Sequence, residues 1–193
     1  MKAKLLSTSL AFAALLSAQT AAAQQICVES ADISDAVTYA MPTLYDAVKA
    51  PCSNEFAASD FMTNEADAFI AQFDNLQDTS WPGTLRLLKV FMAADTAEKG
   101  DAEDPMMTAF AQMPPDALRP LVDIFVGQLI KDDLAKDIKP ATCSDIAEIM
   151  ELVAPLPPEN IGGLAGLIAR MTELDNPPVC GTAKAAEAAQ TAR

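Results

Sequence analysis

Apolar residues recur at three- and four-residue spacing through almost every segment of this 193-residue chain, and the interruptions between segments are prolines. That spacing lines one face of a helix. No stretch of useful length alternates apolar and polar residues with the β-branched content a strand needs. Ala31 to Ala40 reads as one short helix with Ser30 as its N-cap, and Pro42 to Ala50 as a second. Asn64 caps a stretch whose apolar face is Ala66, Phe69, Ile70, Phe73 and Leu76. Trp81-Pro82-Gly83 reads as a turn, followed by a face of Leu85, Leu88, Phe91 and Met92.

The second half repeats the pattern. Met106, Phe110 and Met113 mark a short helix, and Leu118, Leu121, Val122, Phe125 and Leu129 the core face of a longer one that Pro140 ends. Ile146, Ile149, Met150 and Val153 give one helix of the last unit, with Thr142 or Ser144 as its cap. Ile161, Leu164, Leu167, Ile168, Met171 and Leu174 give the core face of the other. Pro114-Pro115-Asp116-Ala117-Leu118 parallels Pro157-Pro158-Glu159-Asn160-Ile161. Both place proline and an acid in a first helical turn, where the missing N–H costs nothing and negative charge suits the dipole. The expected fold is all-α, a bundle of seven or eight short helices in hairpins, with a short irregular α-solenoid as the alternative.

Residues 1–23 are set aside as an expected signal peptide. Lys2 and Lys4 form a basic start, Leu5 to Ala18 an apolar run, and Ala21-Ala22-Ala23 a small-residue cleavage site. Residues 24–180 then form a single domain, with the acidic stretch Asp95 to Asp104 as a solvated connector. Residues 181–193, rich in alanine and lacking large apolar side chains, form a tail that frays. Beyond the signal no run approaches the length of a membrane span, so the expected product is exported and soluble, in the periplasm rather than further out.

Four cysteines in an exported chain read as two disulfides. Cys27 and Cys52 bracket the first pair of helices, and Cys143 and Cys180 the last pair. Two helices of similar length bring such brackets together at the open end of a hairpin, so the expected pairs are Cys27–Cys52 and Cys143–Cys180.

Composition narrows the chemistry. There is no histidine, which removes the commonest general base, the serine and cysteine triads and most catalytic zinc sites. No G-x-S-x-G, S-x-x-K, Walker or G-x-G-x-x-G context occurs, so no catalytic, cofactor-binding or metal-binding residue is assigned. The glycine cluster at Gly162, Gly163 and Gly166 reads as close helix packing rather than an anion cradle. Glu98 to Asp104 lacks the calcium-loop spacing. Met106, Met107 and Met113 beside Phe110 read as core filler rather than a copper site, and Phe56 and Phe61 as a lid on the core. A formal charge of −14, or −16 once Lys2 and Lys4 are removed, argues against nucleic acid and anionic membranes. These features favour a small exported protein that works by binding a protein or a small ligand. The alternatives are a carboxylate-only hydrolase acting on glycans and a stress or chaperone-like protein.

Overall fold

A computed structural model describes residues 27–58, 60–99, 109–110, 112–130, 132, 138–172 and 174–191. The described residues form an all-α bundle without strands, of helices α1 (Ser30–Cys52), α2 (Phe61–Asn64), α3 (Ala66–Asp74), α4 (Gln77–Lys99), α5 (Pro115–Leu129), α6 (Pro140–Val153), α7 (Pro158–Met171) and α8 (Ala183–Thr191). None of them is long and apolar enough to cross a membrane. The expected signal peptide lies outside the described residues.

Helix α1 is the axis on which α3, α4 and α7 pack, with α5 and α6 touching it more lightly. Helix α4 runs antiparallel to it: Gln77 Nε2 donates to the Tyr39 carbonyl, Gly83 lies against Asp35, and Arg86 reaches Asp32. Helix α7 is antiparallel as well, with Gly162 beside Ser34 and Thr38 and Gly166 beside Ser30. Helix α5 follows α1 in parallel, from Tyr39 opposite Arg119 and Asp123 to Thr43 opposite Gly127.

Two buried clusters hang on the two tyrosines of α1. Tyr39 packs with Trp81, Leu85, Leu118 and Val122, its ring 5.4 Å from the Trp81 ring, with Phe110 and Met113 at the edge. Tyr45 packs with Met62, Ala66, Phe69, Ile70 and Phe73. Edge-to-face contacts link Phe61 to Phe69 at 6.2 Å and Phe69 to Phe73 at 5.3 Å. Phe56 and Phe61 close this second cluster as a lid.

The expected break at Pro42 does not occur: α1 is one helix with Pro42 in its interior. Proline there withdraws a single N–H from the ladder, a local cost. Packing of α1 against α4 and α7 outweighs it, since most helical stability in proteins is tertiary. Trp81-Pro82-Gly83 is likewise the interior of α4 and not a turn. Pro82 faces outward, while buried Gly83 lets the α4 backbone approach α1.

The disulfide pairing is corrected for the same reason. The bonds are Cys27–Cys180 and Cys52–Cys143. Because α1 is a single helix of 23 residues, its ends stand about 34 Å apart at 1.5 Å per residue. A disulfide needs Cα atoms within about 7 Å. Helices α6 and α7 do not fold back on each other either. Helix α6 starts at the C-terminal end of α1, tied there by Cys143, and α7 continues toward its N-terminal end. Cys143 and Cys180 therefore stand at opposite ends of α1, each against the cysteine it meets. Beside the outer bond, Val28 and Val179 form an isolated parallel bridge, with Val28 N donating to Pro178 O and Cys180 N to Val28 O, both at 2.9 Å.

The proline repeat marks two equivalent helix starts. Pro114 and Pro157 each cap a helix with ψ at 143°, Pro115 and Pro158 open it, and Asp116 and Glu159 fill the first turn. Pro140 opens α6 instead of only closing what precedes it, with Lys139 as the N-cap. Of the stretch Asp95 to Asp104, residues 95–99 continue α4 and the rest lies outside the described residues. The alanine-rich tail, expected to fray, is helical over Ala183–Thr191, with Ala185 buried and Lys184 paired to Asp175.

Candidate interaction surface

Helix α7 turns its small side inward. An added Cβ on Gly162 would lie 2.5 Å from Thr38 Oγ1 and 2.7 Å from the Ser34 carbonyl oxygen. At Gly166 it would overlap the Ser30 carbonyl and Ser34 Oγ. The hydroxyls lining this seam are satisfied within α1: Ser34 Oγ donates to Ser30 O at 3.0 Å and Thr38 Oγ1 to Ser34 O at 2.9 Å. Gly162 and Gly166 thus let α7 pack closely on α1.

The consequence lies on the other side of α7. Leu164, Leu167, Ile168 and Met171, which the periodicity assigns to the core, are exposed, Met171 to 72%. Helix α6 does the same more weakly. Ala147, Met150 and Val153 pack inward, while Ile149 and Leu152 face out, Leu152 at 70%. On α5, Leu118 and Val122 are buried, but Leu121, Ile124, Phe125 and Leu129 are exposed. Single exposed apolar residues are ordinary; rows of them along helix faces mark contact surfaces. The spacing found Leu164, Leu167, Ile168 and Met171 and misplaced them, because a helix apolar on one side and glycine-lined on the other has two faces that could be buried; it did not single out Ile124 or Leu152.

Charge around the row on α6 is one-sided. Asp145, Glu148 and Glu151 are exposed on α6, which carries no basic residue. On α7, Glu159 and Arg170 are exposed. An open depression of about 410 Å³ lies between the C-terminal end of α3 and the α6–α7 connection, lined by Gln72, Asn75, Leu76, Leu156, Pro157 and Glu159, among others.

The polar clusters elsewhere join helices. Tyr39 Oη donates to Asp123, and Arg119 donates to Tyr39 Oη and to Asp78, linking α1, α4 and α5. Burial, then the Asp123 hydrogen bond, pushes the Tyr39 phenol up to about 12. Tyr45 Oη donates to Asp67, which also pairs with Lys49; burial first, then this bond, raises the Tyr45 phenol. Arg86 donates through Nε and Nη2 to the buried Asp32. Asp35, one turn on, is raised above the usual carboxylate range by burial, with the Asp32 charge adding to it.

Asp35, whose carboxyl burial raises, sits in the α1–α4 seam against Gly83. Trp81, Tyr39 and Tyr45, the side chains a sugar subsite would use as platforms, are buried in the two core clusters. The four cysteines are all in disulfides. Met113 packs at the edge of the Tyr39 cluster; Met106 and Met107 lie outside the described residues. Among the described residues no cluster of cysteine, aspartate and glutamate is arranged to hold a metal ion.

Compared with protein families, with curated proteins and with solved structures, the chain matches none.

Proposed function

We propose that this chain is the binding module of an exported protein and that it works by holding a protein partner on the outward rows of α6 and α7. The observation that carries this is the reversal of α7. Gly162 and Gly166 meet α1, and Leu164, Leu167, Ile168 and Met171 are turned to the surface. Leaving such a row in water forfeits about 25 cal/mol for each Å² that burial would gain, which a partner recovers. Two disulfides support export, since such bonds persist in oxidising compartments. The periplasm is the proposed location.

Native mass spectrometry of the chain, isolated without reductant from its own compartment, tests this. The expected result is a protein companion in fixed ratio, released by the double variant Leu167→Glu/Met171→Glu while helix content and melting are unchanged. A bare chain before and after substitution, or a retained small molecule indifferent to it, overturns the proposal.

A further inference from the structure

We infer that the partner of the α6–α7 surface is a cationic amphipathic helix, a specification that rests on the binding reading above. Two observations meet here. The apolar residues on α7 recur at the spacing of one helix face, Leu164, Leu167, Ile168 and Met171, and such a row accepts the apolar stripe of a second helix. The charges exposed on α6 and α7 are mostly carboxylates: Asp145, Glu148, Glu151 and Glu159, against the single base Arg170.

On α6 these charges fall on the outward side itself. At 100° per residue Glu148 lies beside Leu152, with Asp145 and Ile149 to one flank and Glu151 to the other. A partner whose leucine-like stripe meets the apolar rows therefore places its own polar edges against carboxylates. Lysine or arginine on those edges is complementary, and acids are repelled. A second copy of this chain would set Asp145, Glu148 and Glu151 against another acidic surface on a molecule of formal charge −14. An anionic lipid surface is repelled for the same reason.

Two synthetic amphipathic helices of equal length and identical leucine face, one with lysine and one with glutamate on the polar face, test the inference on the intact disulfide-bonded chain. Titration calorimetry and circular dichroism read binding, ratio and helix gain. The lysine helix is expected to bind one per chain, gain helicity and weaken as salt rises; the glutamate helix is expected not to bind. Leu167→Glu, and separately Glu148→Lys/Glu151→Lys, should each lower the affinity by about tenfold or more, the loss of an interface anchor or its charge match. Phe125→Glu, on the apolar row of α5, should leave it unchanged.

Equal binding of both helices, equal loss in Phe125→Glu, or binding of uncharged vesicles through Leu167 overturns the inference. So does a dimer of the chain abolished by Leu167→Glu. Each of these except the Phe125 result leaves the binding reading in place. Failure of both helices without a dimer, together with a bare chain in native mass spectrometry, removes both.

Discussion

Tyr39 gives its phenolic hydrogen to Asp123, a carboxylate 84 residues further along the chain, and Arg119 Nε donates to the same phenolic oxygen at 3.2 Å. The contact fixes α5 to α1 at the edge of the Tyr39–Trp81 cluster. Removing the hydroxyl in Tyr39→Phe is expected to cost about 1 kcal/mol, the net worth of one such bond, read by urea denaturation at neutral pH.

The same phenol makes stability depend on alkali. Its pKa in the fold is about 12, above the value of about 10 for an unfolded tyrosine. The folded chain therefore keeps the proton longer, and the resulting stability is whole below about pH 10 and is lost as pH rises through about 12. Denaturation midpoints should fall across that window. In Tyr39→Phe the fall should be shallower, with the remainder from Tyr45, which is raised in the same direction.

Two aspartates one turn apart should respond to amidation with opposite signs. Asp32 is buried and accepts both bonds from Arg86, so Asp32→Asn is expected to destabilise by about 1.5–3 kcal/mol, the range of charged hydrogen bonds. Asp35 is raised by burial beside Asp32. Its protonated form is favoured by folding, a contribution present at acid pH and lost as pH rises. Asp35→Asn should accordingly stabilise the chain near pH 7 and lose that advantage near pH 3. Parallel denaturation of both variants at the two pH values checks the pair of signs.

The three neighbouring glycines of α7 separate packing from propensity. Gly162→Ala drives a methyl into the Ser34 backbone and is expected to cost about 1–3 kcal/mol, as overpacked substitutions do. At Gly163 an added Cβ meets nothing within 4 Å, so Gly163→Ala should gain about 0.5–1 kcal/mol from helix propensity. Thermal unfolding of the two single variants is sufficient, and a loss at Gly163 would count against the register of α7 on α1.

Non-reducing peptide mapping should recover Cys27 with Cys180 and Cys52 with Cys143. Each paired Cys→Ala removal is expected to lower stability by about 2–5 kcal/mol.

The helical character of the chain was legible because apolar spacing is a local property that each segment states for itself. The proline starts at Pro115 and Pro158 were legible for the same reason. What misled was long-range. Pro42 and Pro82 look like breaks until α1 and α4 pack on each other. The disulfide pairing followed the false break at Pro42, since two hairpinned helices and one straight helix place Cys52 at opposite ends of the same arithmetic. Leu164, Leu167, Ile168 and Met171 were visible as a row, but the spacing of large residues carries no sign of which side is covered. Gly162 and Gly166, one turn apart, held that information: a helix that brings glycine to its neighbour has its large residues elsewhere.

The outer bond Cys27–Cys180 encloses the inner bond Cys52–Cys143. Every peptide bond from Cys27 to Cys180 consequently belongs to a covalent ring. A protease that cuts once anywhere in that span releases no fragment, and both new ends stay tethered to the helices they left. Such a molecule survives a first cut in one piece, with its helices still held on α1.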